Sequence, residues 1–320
     1  MRILRVTSDL YPYVIGGIGV HAREMSKSQA KLGHEVTILT TSMADKMPDS
    51  QDGFRVACFK NGVKLLGNTI SSELFFKLFR IRKNYDIIHA HSHLYFSTNI
   101  CALVRRIGSS PLVITNHGIM SSSAPDWFNL LYLKTHGKWT LNTADKIICY
   151  TEEEKEKLIR ILNINESKIA VIPNGIDTNQ FYPASRDHAA DTINLLWVGR
   201  FVKGKGVEYV VQAMGILVKE RPNLHLTLVG EGPERGCIRE LIESLGLGDN
   251  VSIIDFVPYN KMPGVFQDSD IFVLPSLHEG VPRTVLEAMS CGLPVVISDF
   301  SHLRDLIDGG GLMFPMKDVR

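Results

Sequence analysis

Short runs of apolar and β-branched residues alternate along the chain with stretches in which apolar residues recur at helical spacing. At the amino end, residues 3–7 predict a buried strand, 16–19 a loop, 20–32 an amphipathic helix that ends at Gly33, and 36–40 the next strand. Strand, helix and strand in this order form a βαβ unit, and a chain of such units predicts a parallel sheet with helices on both faces.

The alternation continues in two series, separated by a cluster of turn residues at 173–177 and a polar stretch at 185–191 that predicts a linker. Further strands of the first series are predicted at 56–59, 86–90, 112–115, 146–150 and 168–172. Strands of the second series are predicted at 193–198, 224–229, 251–254, 271–274 and 294–298. The sequence therefore predicts an α/β protein of two doubly wound, Rossmann-like domains.

Composition and charge narrow the class of protein. The 320 residues are 44% hydrophobic and 22% charged, which is typical of a soluble globular protein. Lys and Arg total 35 against 34 for Asp and Glu, so no global basic field favours nucleic acid, and we expect no such partner. The five cysteines show no paired spacing, and we find no pattern of a signal peptide or a spanning helix. We therefore predict a cytoplasmic protein with reduced thiols.

The glycine-rich segment 16–19 follows the first predicted strand and precedes a helix. Free backbone N–H groups at such a helix start favour an anion or a sugar. The spacing differs from Gly-x-Gly-x-x-Gly, and the second strand ends without the acidic residue that binds a ribose, so dinucleotide binding is disfavoured. A ligand-binding loop and a plain tight turn both fit the pattern.

A second glycine-rich segment, 199–206, nearly spells a Walker A loop, but Gly206 stands where that loop has the Ser or Thr that ligates Mg²⁺. The segment keeps the glycines and the basic side chains of a phosphate-binding loop. Arg200, Lys203 and Lys205 could neutralise a diphosphate without a metal, with about 1.5–3 kcal/mol from each charge-assisted hydrogen bond. The alternative is a solvated basic turn.

The segment 277–289 carries two glutamates, Glu279 in the loop after strand 271–274 and Glu287 about one turn into the next helix. Glu287 has apolar neighbours in sequence, and a carboxylate is costly to bury unless it accepts hydrogen bonds. Vicinal ribose hydroxyls would supply such bonds. The alternative is an exposed glutamate on an amphipathic helix.

Together with the turn at 173–177, these segments resemble the retaining family 4 glycosyltransferases over residues 1–314. The resemblance implies the GT-B fold, with two Rossmann-like domains facing a central cleft: an acceptor-side domain at 1–177 and a nucleotide-sugar-binding domain at 178–320. It implies transfer of a hexose from a nucleoside diphosphate sugar to a hydroxyl of a glycan, a lipid-linked or a small-molecule acceptor. Configuration would be retained, and neither a metal nor another cofactor would be needed. Family members normally continue beyond Pro315 with helices that close the second domain.

The resemblance also implies roles for single residues. Arg200 and Lys205 would hold the donor diphosphate, Glu279 the donor sugar and Glu287 the ribose, and His117 would lie beside the donor sugar. We take His117, Glu279, Arg200 and Lys205 as the expected catalytic residues, with no protein nucleophile. The expected donor-binding residues are Gly16, Gly17, Arg200, Lys205, Gly280, Val281, Pro282 and Glu287.

His89, His91 and His93 alternate, so on a strand they would project to one face, as in a three-histidine zinc site. The resemblance instead places this segment near the cleft, with His91 or His93 on the acceptor side. We therefore predict no metal site.

Segments 73–83 and 127–139 combine apolar side chains with basic ones, as do helices that contact an anionic membrane. A helix that covers a sheet needs the same apolar stripe, and an acceptor groove would also explain the second segment. The pattern of these two segments therefore fits both core packing and peripheral contact with the inner face of the cell membrane.

Fold and phosphate site do not determine the reaction. A nucleotide-sugar epimerase, a phosphorylase and a catalytically silent sugar-nucleotide-binding protein are therefore the alternatives to a glycosyltransferase.

Overall fold

The computed structural model describes residues 1–8, 10–11, 16–40, 52–58, 63–65, 68–119, 125–184 and 191–319. The chain forms two compact units, Met1–Pro173 (unit 1) and Asn174–Arg320 (unit 2). The boundary falls at the start of the predicted turn cluster, whereas the sequence analysis placed it after Asp177. Most of the predicted linker, 185–190, lies outside the described residues.

Unit 1 is built on a seven-stranded parallel sheet with the order β3-β2-β1-β6-β7-β8-β9, and a separate antiparallel hairpin, β4-β5. Its strands are β1 (Arg2–Thr7), β2 (Glu35–Thr40), β3 (Arg55–Cys58), β4 (Val63–Leu65), β5 (Asn68–Ile70), β6 (Ile87–His91), β7 (Leu112–Thr115), β8 (Lys146–Cys149) and β9 (Ile169–Val171). Its helices are α1 (Gly17–Lys31), α2 (Ser72–Ile81), α3 (Phe96–Ile107), α4 (Asp126–Tyr132), α5 (Lys138–Thr143) and α6 (Glu152–Leu162), and a π-helical stretch, Leu133–Gly137, joins α4 to α5.

The loop predicted at 16–19 is wrong, because α1 begins at Gly17. A Cβ atom on Gly19 would lie 3.0 Å from the backbone nitrogen of Tyr11. The absent side chain therefore lets the first turn of α1 pack directly against the backbone that follows β1. Of the glycines that suggested a loop, Gly19 is the one that allows this close contact.

Unit 2 is built on a six-stranded parallel sheet with the order β12-β11-β10-β13-β14-β15. Its strands are β10 (Ile193–Val198), β11 (Leu224–Val229), β12 (Val251–Ile254), β13 (Ile271–Leu274), β14 (Val295–Ser298) and β15 (Gly311–Phe314). Its helices are α7 (Val207–Leu217), α8 (Arg235–Ser244), α9 (Met262–Gln267), α10 (Arg283–Ser290) and α11 (Arg304–Ile307).

The side chains of the unit 2 sheet alternate between two hydrophobic clusters. Leu196 and Phe272 belong to one cluster, with α10, whereas Trp197 and Val273 belong to the other, with α7 and α8. Because neighbouring residues of a strand point to opposite faces, this alternation requires apolar cover on both faces. The prediction of doubly wound α/β domains is confirmed.

Each sheet has one point at which the strand order reverses. In unit 1, β1 pairs with β2 on one side and with β6 on the other, and in unit 2, β10 pairs with β11 and β13. In open α/β sheets, ligands bind outside the carboxyl ends of the strands at such a switch point. The residues that follow β1, β6, β10 and β13 are therefore the places to look for a functional site.

Candidate functional site

The loop after β10 contains the near-Walker segment, and its geometry explains why position 206 is glycine. Gly206 has φ +63°, and a Cβ atom there would lie 2.1 Å from the carbonyl oxygen of Pro275. No side chain fits at that distance, so Ser or Thr could not occupy the position without moving the loop. Gly206 also caps α7, so the loop leads directly into a helix amino end.

Two contacts join this loop to the one after β13. The backbone nitrogen of Leu277 donates to the carbonyl of Gly204 at 2.9 Å, and Lys205 Nζ donates to Glu279 Oε1 at 2.5 Å. The Lys205 side chain is 30% exposed and that of Glu279 is 11% exposed. The structure thus places an ammonium beside a carboxylate at the unit 2 switch point, with the ammonium still open to solvent.

Arg200 and Lys203 are exposed on the same loop. Within the described ranges, neither side chain makes a hydrogen bond or an ion pair to another residue. Both guanidinium and ammonium are therefore available to an anionic ligand, next to a lysine that is already positioned.

Glu287, one turn into α10, is buried and belongs to an internal polar network. Its Oε1 accepts from the Tyr259 hydroxyl at 2.8 Å and from Arg283 Nε at 3.1 Å, and Arg283 Nη2 also donates to the Tyr259 hydroxyl, at 2.9 Å. Burial, and then the charge of Glu287, raise the pKa of Tyr259, so its hydroxyl stays protonated and donates. The internal donors account for the burial of Glu287 without a ribose, and the alternative of an exposed glutamate is wrong.

The turn between Glu279 and α10 is also fixed. The carbonyl of Gly280 accepts from His302 Nε2 at 2.8 Å, Val281 packs against the hydrophobic cluster of α10, and Pro282 is the residue that caps this helix. The backbone of these three residues, rather than their side chains, is what this turn offers to a ligand.

In unit 1, Gly16 and Gly17 stand at the start of α1. A Cβ atom on either residue would meet no described atom within 4 Å, so the space before this helix end is open in the described part of the chain. The first N–H groups of a helix have no partner within the helix. The arrangement suits an anion or a hydroxyl acceptor, as the sequence predicted.

His117, which follows β7, lies in a cluster of polar rings at the unit 1 switch point. His117 Nε2 is 3.0 Å from His91 Nδ1, and the Tyr150 hydroxyl is 3.2 Å from His117 Nδ1 and 3.3 Å from His21 Nε2. His91 ends β6, whereas His21 lies on α1. Both nitrogens of His117 therefore have partners inside unit 1.

Two histidines of this cluster, His91 and His117, are held neutral. Burial is the largest cause that lowers the pKa of His91 and His117 well below the ordinary value, and the neighbouring positive charges lower it further. One of those charges is Arg5, a fully buried cation on β1 whose guanidinium donates to Ser26 Oγ at 2.5 Å and Gln29 Oε1 at 2.7 Å.

The rings of His89 and His91 are stacked, with centroids 4.7 Å apart, but the structure does not bring His93 to them as a third ligand. β6 ends at His91, and Ser92, with φ +61°, turns the chain away from the strand. His89 contacts Arg5 and Thr115, and His93 Nδ1 is 2.8 Å from Asn116 Oδ1. His91 and His93 are both fully buried, so neither offers an exposed side chain to an acceptor.

Sequence reasoning missed His21, Tyr150, Tyr259 and Arg283. Arg283 could have been found, because it precedes Glu287 by four positions, the spacing that joins charged side chains on a helix. The other three meet their partners only through the tertiary fold, so no local pattern marks them.

The fold and these two switch-point clusters define a two-domain nucleotide-binding α/β protein. A family model described as Glycosyltransferase Family 4 matches residues 15–180, and one described as Glycosyl transferases group 1 matches residues 179–319. The chain belongs to glycosyltransferase family 4. It is a nucleotide-sugar glycosyltransferase with the GT-B fold.

Solved structures share this fold. The sucrose-phosphate synthase of Thermosynechococcus elongatus has a TM-score of 0.82 at 24% identity, covering 99% of this chain and 86% of that chain. Anabaena HepE, in complex with UDP and glucose, has a TM-score of 0.80 at 22% identity, covering 100% and 87%. A curated relative, the Escherichia coli UDP-Gal:alpha-D-GlcNAc-diphosphoundecaprenol alpha-1,3-galactosyltransferase, is 28% identical over 87% of this chain and 74% of its own length.

Among the described residues, no helix combines the length and the apolar character that a membrane span requires.

Proposed function

We propose that the chain transfers a hexosyl group from a nucleoside diphosphate sugar to a hydroxyl of a glycan or lipid-linked acceptor, with retention of configuration and without a metal ion. The observation that carries the proposal is the Lys205–Glu279 pair, which links the loops after β10 and β13 at the switch point. An ammonium binds phosphate oxygens and a carboxylate accepts from sugar hydroxyls, so the pair suits a diphosphate attached to a sugar.

In the proposed reaction, the bond between the anomeric carbon and the diphosphate oxygen breaks, and negative charge grows on the leaving group. Arg200 and Lys205 stabilise that charge more strongly as it develops, which lowers the barrier. Glu279 holds Lys205 in place beforehand, so little reorganisation is needed. The acceptor hydroxyl attacks the face that the leaving phosphate vacates and gives its proton to that phosphate, which retains the configuration without a protein nucleophile.

The remaining donor contacts follow the family resemblance. The carboxylate of Glu287, which Arg283 and Tyr259 hold in place, would accept hydrogen bonds from the ribose hydroxyls. Gly16, Gly17 and His117 of unit 1 would contact the donor. The names of the relatives make UDP-hexoses the first donors to test, since HepE was solved with UDP and glucose and the E. coli relative is named for UDP-Gal.

The test is calorimetric titration of the whole chain with UDP, GDP and ADP, followed by the Lys205→Ala variant. Loss of the lysine removes one charge-assisted contact and leaves Glu279 without its partner beside the phosphates. We expect affinity to fall by about 1.5–3 kcal/mol, roughly ten- to a hundredfold. Lys203→Ala compares a second lysine of the same loop, and its effect should be smaller because Lys203 is exposed and no ion pair within the described ranges positions its ammonium beforehand. Unchanged affinity in folded Lys205→Ala would reduce the loop to a basic surface turn.

Peripheral membrane contact is the second part of the proposal, and α4 with its extension supports it. Trp127, Leu130, Leu131 and Trp139 are exposed at spacings that share one helix face, and Lys134 is exposed between them. Exposed apolar side chains with a lysine among them, and tryptophans at both ends, fit the surface of an anionic bilayer.

Sedimentation with vesicles of phosphatidylglycerol or of phosphatidylcholine tests this part. We expect binding to the anionic vesicles, reduced several-fold by Trp127→Ala with Leu131→Ala. Phe76→Ala is the matched control, since Phe76 is 69% exposed on α2 and Trp127 is 68% exposed on α4. Loss of binding in Phe76→Ala alone would assign the contact to α2, and binding that ignores both changes would refute it.

A further inference from the structure

The ring cluster of unit 1 brings together three imidazoles from three separate segments. One ring nitrogen of each of His21, His91 and His117 lies within 4.8 Å of the others. His21 comes from the first turns of α1, His91 from the end of β6, and His117 from the residues after β7. Of the three histidines predicted to alternate on one strand, only His91 belongs to this cluster, and the fold adds His21 and His117.

The hydrogen bonds among the described residues leave one ring nitrogen of this cluster without a partner. Nε2 of His91 is buried and has no hydrogen-bond partner among the residues that the structure describes, although His91 Nδ1 faces His117 Nε2 at 3.0 Å. A buried nitrogen without a partner costs about 1–3 kcal/mol, so such atoms are rare unless a water or an ion serves them.

We propose that His21, His91 and His117 form a binding site for a divalent transition-metal ion of the Zn²⁺ class, which no role in sugar transfer requires. Three imidazoles and one open position are a common coordination set for this ion. Imidazole is also a preferred ligand for zinc and its neighbours in the first transition series, whereas Mg²⁺ and Ca²⁺ prefer oxygen.

The geometry needs only small adjustments. Tetrahedral Zn²⁺ at about 2.0–2.1 Å from each nitrogen sets the nitrogens about 3.4 Å apart, so closing the widest 4.8 Å separation takes ring shifts of about 1 Å. A neutral imidazole that binds through one nitrogen carries its proton on the other. With His117 bound through Nε2, its Nδ1–H faces the Tyr150 hydroxyl at 3.2 Å, the kind of outer partner that fixes a metal-binding histidine.

The charges around the cluster decide how tightly the ion binds. A metal ion binds the neutral form of imidazole, and the burial of His91 favours that form. Arg5, which donates to His89 beside His91, opposes a second cation. His117 is partly exposed, so an ion can enter from its side.

Cobalt(II) is the probe, because its visible absorption reports the coordination geometry independently of turnover. The whole chain, without an affinity tag and with Cys237→Ser to remove the exposed thiol, is titrated with Co²⁺ and then with Zn²⁺ as competitor. We expect one equivalent of Co²⁺ with the strong absorption of a low-coordinate nitrogen site, displaced by Zn²⁺.

Three variants locate the site. His21→Gln and His117→Gln should each weaken Co²⁺ binding at least about tenfold. About a tenfold loss of metal affinity is the lower end of the effect of removing a residue that only hydrogen-bonds to a metal ligand. His136→Gln, which removes an exposed histidine outside the cluster, should leave binding unchanged. Zn²⁺ should also raise the unfolding temperature of the parent protein and not that of His21→Gln, each measured against its own metal-free sample.

The proposal would be overturned if bound Co²⁺ were octahedral and weakly absorbing. It would also be overturned if Co²⁺ binding survived both His21→Gln and His117→Gln, and the cluster would then be a set of hydrogen-bonded rings without a metal. The readouts do not involve donor or acceptor, so they stand or fall separately from the proposed transferase chemistry.

Discussion

At the scale of single residues, position 206 shows how one missing side chain shapes the phosphate loop. The contact that a Cβ atom would make with Pro275 and the left-handed backbone both exclude a larger residue. We expect Gly206→Ser, which restores the Walker-type hydroxyl, to destabilise unit 2 by about 1–2 kcal/mol from the backbone conformation alone, with the contact adding to this. UDP binding should weaken as well.

Gly204→Ala is the matched comparison, since a Cβ atom there meets nothing within 4 Å. Denaturant unfolding of both variants can be followed through Trp197, buried in unit 2, after Trp127 and Trp139 are replaced by Phe. Equal stability of the two glycine variants would contradict the packing argument.

Single substitutions in the network around Glu287 test what holds α10 in place. Glu287→Gln leaves the largely buried Arg283 without its charge partner, and breaking a buried pair in this way costs about 3–5 kcal/mol. Tyr259→Phe removes the hydrogen bonds that the hydroxyl makes with Glu287 and Arg283 but leaves the ion pair intact, so it should cost less, about 1–2 kcal/mol. Unfolding monitored at Trp197 compares the two, and a Glu287→Gln protein as stable as the wild type would show that the pair is not what holds α10.

At the scale of elements, the sequence predicted the strands well and their ends less well. The strands 112–115, 193–198, 224–229, 251–254 and 271–274 match because buried parallel strands are continuous apolar runs. The hairpin β4-β5 was missed because each strand has only three residues, and β15 was missed because it begins within a run of three glycines, which favours a turn. The start of α1 was misplaced because glycine usually marks a loop, and only the tertiary contact at Gly19 shows why it is helical here.

Strand β6 and the residues after it should make unit 1 sensitive to acid. Burial lowers the pKa of His89, His91 and His117 well below 6.5 and that of His93 to about 4. The unfolded chain then binds more protons than the folded one below about pH 6.5, so stability is present above that pH and falls as the pH drops toward the folded values. Each histidine contributes a slope of up to about 1.4 kcal/mol per pH unit.

Unfolding of unit 1, followed through Trp127 and Trp139 with Trp197 replaced by Phe, measures this slope. In His93→Asn, which keeps a polar side chain opposite Asn116, the slope between pH 6.5 and about 4 should be shallower. An identical slope would mean that carboxylates, not these histidines, cause the acid sensitivity.

At the scale of the whole molecule, the fold and family could be predicted because several short segments occur in the right order along the chain. The site was predictable where its residues lie in one segment, as Glu279 and Glu287 do. It was not predictable where partners come from distant segments, as His21 and Tyr150 do, because the tertiary fold decides which side chains meet.

The whole-molecule charge also bears on metal dependence. The formal net charge is only +1, so a donor diphosphate must be neutralised locally, by Arg200, Lys203 and Lys205 on the loop after β10. In the proposed mechanism these cations take the place of Mg²⁺, so we expect turnover with a UDP-hexose to be unchanged by EDTA and by added Mg²⁺. If the three-histidine site takes up Zn²⁺, the ion engages His117 and should lower turnover. EDTA added to metal-containing protein should therefore raise turnover or leave it unchanged. A rise should be absent in His21→Gln, when the rate of each protein with EDTA is compared with its own rate without EDTA. Turnover that EDTA abolishes and Mn²⁺ or Mg²⁺ restores would show that the cationic loop does not replace a metal and would refute the metal-free mechanism.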